Sequence, residues 1–287
     1  MSKKKLQENS YILFLFGVLI LLIIVMALVS PYFFTWRNCR NILNQSAIYL
    51  VISIGMTFVI SAGQIDLSVG AIIGFSGMVM GLLSKAGVPE VIAIALGLIG
   101  AVVIGLLNGV IISCGKINSF IVTLSTMTVL RGLILIWTNS KSIFGFGSIF
   151  TFVGSGNYCL FIGANDVALN RSGVNVKKYK AMIFSLCGLC AGIAGAIVTA
   201  RLNSAEPLAG QGYEMDAIAA TILGGTSMQG GKGNVIGTVI ACFILNILKN
   251  GLTLLAISSH YQEILTGIIL IVSVLISESK QRKKKEV

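Results

Sequence analysis

Charge is scarce in this sequence, and negative charge is the scarcer sign. Only 11% of the 287 residues are charged, with ten acids against twenty-one lysines and arginines. So few charges cannot clothe a water-facing surface of that size, which excludes an ordinary soluble globule. Histidine is almost missing as well, since His260 is the only one. A Ser-His-Asp set, a metal cluster and a dinucleotide loop are all absent from the sequence pattern, so catalysis and a bound metal are not expected. The six cysteines, at positions 39, 114, 159, 187, 190 and 242, fall mostly inside apolar runs and do not read as a secreted disulfide framework. Cys187 and Cys190 form a CxxC, but two small polarisable residues one turn apart are what a packed helix face contains.

What fills the sequence instead is apolar, at 55% of residues. Uncharged runs cover 11–29, 42–62, 91–114, 119–130, 181–200 and 235–248, and most approach or exceed the length a helix needs to cross the hydrocarbon core. Shorter runs at 67–83, 217–223 and 264–276 are interrupted by glycine or flanked by acids, as short or broken membrane helices are. The pattern predicts an all-α polytopic membrane protein, one transmembrane domain over 1–287 with about nine to ten transmembrane or half-membrane helices. Breaks are expected near 63–77 and 212–226. The first run follows a basic start as a secretory signal would. It is long, however, and ends in Val29-Ser30-Pro31 without a small-residue cleavage site, so it is expected to be retained as a span.

The cations are clustered at 3–5, 171–180 and 280–285, beside apolar runs. They neither spread along a face nor interleave with exposed aromatics, so nucleic acid is not an expected partner. The clustering is the positive-inside pattern. It places both termini, the polar island at 163–180 and the basic tail at 277–287 in the cytosol, with anionic lipid headgroups as the natural neighbours of the tails. A cytosolic N-terminus followed by spans at 11–29, 42–62, 67–83, 91–114 and 119–137 leaves the island outside unless a sixth crossing precedes it. The only candidate is 143–162, uncharged and just long enough, but rich in glycine and serine. With it, and four further crossings after the island, the cytosolic segments hold 14 of the 21 lysines and arginines.

Charges left within or beside spans are the next signal, because each costs several kcal/mol unless paired or hydrated. They are Asp66, Arg131, Glu214 and Asp216. Each is open to two readings, a polar translocation path or a boundary where a short helix ends; Arg131 has the reach to snorkel, and Asp66 is placed to cap a helix starting at Leu67. Gly63 to Asp66 followed by Gly70, Gly74 and Gly77 is loosely echoed by Gly212 to Asp216 followed by Gly224 and Gly225, as in an internal duplication or in ordinary membrane packing. Gly231-Lys232 superficially suggests a phosphate loop. That loop needs Gly five residues earlier and Ser or Thr after the lysine, where this chain has Thr226 and Gly233, so the chain is not expected to hydrolyse nucleotide.

Four ordered motifs then carry a specific likeness: GMTFVISAGQIDLSVGAIIGFSG at 55–77, NSFIVTLSTMTVLRGL at 118–133, GANDVALNRSGVNV at 163–176, and ARLNSAEPLAGQGYEMDAIAATILGGTSMQGGKGNVIGT at 200–238. Along nearly its whole length the chain resembles the permease subunit of bacterial sugar ABC importers, of the ribose-type monosaccharide kind. The resemblance implies a bacterial plasma-membrane subunit that is no enzyme and binds no cofactor, ATP being used by a partner. Its expected partners are cytosolic ATP-binding cassettes, an extracytoplasmic sugar-binding protein and a second permease copy. It also makes the island a coupling loop for the ATPase, with Asn165, Asp166, Ala168, Arg171, Ser172 and Gly173 on the matching motif. Asn165 or Asp166 is suited to cap a short helix there and Gly173 to end it. For a small neutral sugar, the expected path residues, chosen from polarity within spans, are Asp66, Ser68, Asn108, Thr126 and Asp216. The chain departs from the family between Val153 and Asn157, where GSG replaces about one span and its loop. An internal deletion is therefore expected, and an inactive permease remnant stands beside a secondary transporter as an alternative function.

Overall fold

The computed structural model describes residues 3–145 and 176–285, with side chains over 9–145 and 177–275. Among these residues the chain is helical apart from one small ribbon. It forms α1 (Lys3–Val29), α2 (Trp36–Ser61), α3 (Val69–Lys85), α4 (Glu90–Gly115), α5 (Ser119–Thr138), β1 (Ile143–Phe144), α6 (Val176–Leu202), β2 (Ser204–Ala205), α7 (Tyr213–Leu223), α8 (Val235–Leu254) and α9 (Ser259–Lys285). Six of these helices contain segments long and apolar enough to cross a membrane: Asn9–Val29, Trp36–Ser61, Glu90–Gly115, Ser119–Thr138, Lys177–Leu202 and Val235–Leu254. Val69–Lys85 and Ser259–Leu275 are shorter apolar helices. The two expected breaks are present, but the first is narrower than expected. Gly70, Gly74 and Gly77 lie inside the regular helix α3, and only residues 62–68 depart from helix. The second break follows α7, an eleven-residue helix.

The chain divides into two compact units, one of Met1–Gly63 with Met215–Val287, the other of Gln64–Glu214. In the first, α2 and α8 run antiparallel and are joined by a ladder of polar side chains. Thr238, Cys242, Asn246 and Asn250 recur every fourth residue on α8, which puts them on one stripe. Thr238 Oγ1 meets Thr57 Oγ1 at 3.1 Å, and Cys242 Sγ reaches Tyr49 O at 3.9 Å. Asn246 Nδ2 donates to Ile42 O at 2.9 Å and to Ser46 Oγ at 2.6 Å. Asn38 and Asn250 exchange amide hydrogen bonds at 3.0 and 2.8 Å. A membrane offers no hydrophobic drive to bring helices together, so packing and interhelical hydrogen bonds of this kind supply the association. The Tyr11 hydroxyl of α1 donates to Leu223 O at the end of α7, 2.7 Å away.

In the second unit α4 and α6 pack antiparallel along a seam of small residues. Ala101, Gly105 and Gly109 stand four apart on α4, facing Ala181, Gly188 and Gly192 on α6. A Cβ on Gly105 would strike Phe184 O, and one on Gly188 would strike Ala101 O, so the backbones themselves are in contact. α3 joins the same cluster, with Gly77 against Thr199 and Gly195 against Ser76 and Ile73. α5 and the antiparallel ribbon, pairing Ile143 with Ala205 and Phe144 with Ser204, close the unit around Met78, Met80 and Ile134.

Candidate functional site

The break between α2 and α3 leaves main-chain amides that no helix satisfies, and inside a membrane protein each must find a partner. α5 supplies them. Ser119 and Thr123, one turn apart on its polar stripe, accept from Ile65 N and Leu67 N, both at 3.1 Å. Asp66 Oδ1 accepts from Ser68 N at 2.9 Å and from the Ser68 hydroxyl at 2.6 Å. The expectation that Asp66 caps a helix starting at Leu67 is thus displaced by two residues. The helix begins at Val69, and Asp66 holds the amide of its N-cap residue, Ser68.

From Ser68 the polar contacts continue outward. Asn108 of α4 donates from Nδ2 to Ser68 Oγ at 2.9 Å, and the Thr126 hydroxyl of α5 donates to Asn108 Oδ1 at 2.6 Å. The direction of the chain is fixed: the Ser68 proton goes to Asp66, so its oxygen must accept, which orients the Asn108 amide and leaves Oδ1 for Thr126. Four of the five expected path residues, Asp66, Ser68, Asn108 and Thr126, therefore form one relay that ends on a carboxylate. The first three are buried and Thr126 is partly exposed. Asp66 Oδ2 has no N–H or O–H donor among the described residues, and the Cys187 thiol is the remaining polar neighbour of the carboxylate. Cys187 is buried, and neither it nor Cys190 is in a disulfide among the described residues.

Arg131 is turned onto main-chain carbonyls. Its guanidinium donates to Pro207 O at 3.2 Å, Ala209 O at 2.9 Å and Gly70 O at 3.3 Å, with the Glu214 carboxylate as the neighbouring charge. It ties the start of α3 to the stretch that leads into α7, where a Cβ on Gly70 would strike Gly210 O. Glu206 in that stretch takes hydroxyl protons from Ser142 and Ser204.

Asp216, the fifth expected path residue, belongs to the other unit and pairs with Lys249 at 2.5 Å. Asn165, Asp166, Ala168, Arg171, Ser172 and Gly173 lie outside the described residues, as does most of the proposed sixth crossing at 143–162. Sequence reasoning missed Ser119 and Thr123, the carbonyl clamp of Arg131, and Asn38, Asn246 and Asn250. The missed signal was spacing: Ser119, Thr123 and Thr126 share one face of α5, and the α8 residues recur every fourth position. No group of three or more histidine, cysteine, aspartate or glutamate side chains converges among the described residues.

Comparison with known proteins shows the family. The family described as branched-chain amino acid transport system, permease component, matches over residues 38–155 and 149–274, two stretches that meet at 149–155. The chain is 39% identical over 296 residues to the ribose import permease protein of Escherichia coli K12, covering 92% of each chain. It is 42% identical over 293 residues to the ribose import permease protein of Bacillus subtilis, covering 91% of each. The D-allose transport system permease protein of Escherichia coli K12 is 35% identical, covering 90% of this chain and 89% of that one. An alignment of 296 residues that takes in 92% of a 287-residue chain spans more of the relative than of the chain. No solved structure matches.

Proposed function

The chain belongs to the permease-component family of the branched-chain amino acid transport system, and from that premise we propose that it is the membrane subunit of an ATP-driven importer for a small neutral sugar such as ribose. The observation that carries the substrate class is the identity to ribose and allose permeases over nine-tenths of the chain. The family is one of transport subunits, not enzymes. In this reading cytosolic ATP-binding cassettes drive the permease, an extracytoplasmic binding protein delivers the sugar, and a second permease copy completes the pore in the bacterial plasma membrane, both termini being cytosolic. The coupling contact is the loop at 163–180, through Asn165, Asp166, Ala168, Arg171, Ser172 and Gly173.

The relay of the second unit is the proposed sugar-facing element. A neutral sugar is recognised by hydrogen-bond donors and acceptors, and Thr126 is the relay's partly exposed end. Asn108, Ser68 and Asp66 fix where the Thr126 proton points, which leaves the hydroxyl oxygen to accept from a sugar hydroxyl. The test is uptake of labelled ribose by cells carrying this chain with its partner subunits. Mutation of the phosphate loop of the partner ATPase is expected to abolish uptake; uptake that survives would overturn the importer in favour of a secondary transporter.

A second reading, a remnant with an internal deletion, is favoured by two facts. The family match falls into two stretches that meet at 149–155, and the relatives' alignments are longer than the part of the chain they cover. Failure of the chain to restore ribose uptake to a strain lacking its own ribose permease, while the partner subunits are present, selects this reading.

A further inference from the structure

Of the three acids that the sequence sets within or beside spans, Asp66, Glu214 and Asp216, two have a cation at hand. Asp216 pairs with Lys249, and Glu214 has the Arg131 guanidinium as a neighbouring charge. Asp66 is 0% exposed and has no ion pair among the described residues. The groups that surround it are neutral. Ser68, two residues on, gives it a main-chain N–H and a hydroxyl, and Asn108 of α4 meets that hydroxyl. Ser119 and Thr123 of α5 serve the flanking amides of Ile65 and Leu67. From α6 comes Cys187, with Cys190 in the next turn, and these two thiols are the titratable groups on that side. Arg131 of α5 also reaches the start of α3, but it gives its protons to Gly70 O, Pro207 O and Ala209 O.

The two oxygens of the Asp66 carboxyl are treated differently. Oδ1 accepts twice, from Ser68 N at 2.9 Å and from the Ser68 hydroxyl at 2.6 Å. Oδ2 is buried and accepts from nothing among the described residues. An ionised carboxylate can only accept, at both oxygens, and away from water it needs a donor or a cation for each. Where neither is present the group neutralises instead. A carboxylic acid has another inventory, one carbonyl oxygen that accepts and one hydroxyl that donates. That inventory matches the pattern here: the oxygen with two donors is the carbonyl, and the oxygen with none is the hydroxyl. The remaining polar neighbour, the Cys187 sulfur, is a weak acceptor for such a hydroxyl.

We propose that Asp66 is a proton-binding site, a neutral carboxylic acid at neutral pH with its proton on Oδ2. The relay of Asp66, Ser68, Asn108 and Thr126 then ends on the carbonyl oxygen of an acid, so its direction is unchanged and no member of it is charged. An uncharged relay neither draws an ammonium group nor repels a carboxylate, and it recognises by hydrogen bonds alone, which is what a neutral sugar offers. Asp66 is then a positioning residue that orders the Thr126 hydroxyl through Ser68 and Asn108. Its use for a neutral sugar rests on the function proposed above; its protonation rests on the geometry of the second unit alone.

Infrared spectroscopy of the full-length chain in detergent at neutral pH tests this, with aspartate carrying carbon-13 in its side-chain carboxyl. The chain has three aspartates, Asp66, Asp166 and Asp216, so the label leaves few sources for any band that it moves. The expected result is the carbonyl stretch of a protonated carboxyl that shifts on labelling, disappears in Asp66→Asn and remains in Asp216→Asn. A spectrum without a labelled band of that kind overturns the proposal, as does a band that Asp66→Asn keeps or Asp216→Asn removes. Should Asp66→Asn fail to fold, Cys187→Ser decides, because a serine oxygen is a stronger acceptor than sulfur for the acid hydroxyl. A labelled band displaced to lower frequency in Cys187→Ser supports the proton on Oδ2, and a band that this variant leaves unmoved overturns it. None of these readouts requires transport, so failure of the chain to import ribose would count against the sugar reading and leave the proton site standing.

Discussion

A guanidinium among three main-chain carbonyls does work that no other side chain copies. Arg131 reaches Gly70, Pro207 and Ala209 because its planar fork holds donors at fixed separations, whereas a lysine offers one compact head. Hydrogen bonds to a charged group contribute about 1.5–3 kcal/mol each. Arg131→Lys is therefore expected to lower the melting temperature of the chain, and Arg131→Met to lower it further, because Glu214 then loses a neighbouring positive charge. Combining Arg131→Met with Glu214→Gln is expected to recover part of that loss in the same measurement. Thr126 differs, since it sits at the end of its relay and nothing hangs from it. Thr126→Val removes one hydrogen bond to Asn108, worth on average about 0.6 kcal/mol between membrane helices. The expected outcome is a melting temperature lowered only slightly, with a raised KM for sugar uptake. A fall in melting temperature with KM intact makes Thr126 structural.

At the scale of elements, glycine position separates seam from surface. Gly105 and Gly132 both lie in the interior of an apolar helix, the first one of five glycines in α4 and the second the single glycine of α5. Gly105 meets the α6 backbone at Phe184, while a Cβ on Gly132 would meet nothing. Gly105→Leu must push α4 and α6 apart, and overpacking of this kind costs about 1–3 kcal/mol or prevents folding. Gly132→Leu is expected to leave both yield and melting temperature at the native level, as measured by size-exclusion chromatography of the detergent-extracted chain. Equal damage from both substitutions would remove the seam from the account.

For the molecule as a whole, helix existence was legible because apolar run length speaks directly to helix length. The run at 91–114 became Glu90–Gly115, and that at 181–200 became Val176–Leu202. Partnership was not legible. Nothing in Lys249 alone says that it meets Asp216 thirty-three residues away, since a loop and a helix of arbitrary direction intervene. Nor does Asn38 announce Asn250, although the four-residue spacing on α8 marks a stripe awaiting a partner. The relay was partly legible: polarity within spans selected Asp66, Ser68, Asn108 and Thr126, but only packing joins them and sends Asp216 elsewhere.

Sidedness is the whole-molecule property on which the coupling proposal depends. α1 to α5 carry the chain to Thr138, and if each crosses once from a cytosolic N-terminus, Lys141 is outside. The island at 163–180 then reaches an ATPase only if the stretch before it crosses back. That stretch contains the junction at 149–155 where the two family matches meet. A membrane span needs about 20 residues, which the segment 143–162 barely supplies. Single cysteines placed at Ser2, Lys141 and Ser172 in a chain cleared of its native cysteines separate the cases with a membrane-impermeant maleimide. Ser2 and Ser172 are expected to label only from the cytosolic side and Lys141 only from outside. Labelling of Ser172 from outside together with Lys141 would mean that the segment 143–162 does not cross. The positive-inside rule would then fail for the island, and the coupling motif would face away from any cassette able to drive it.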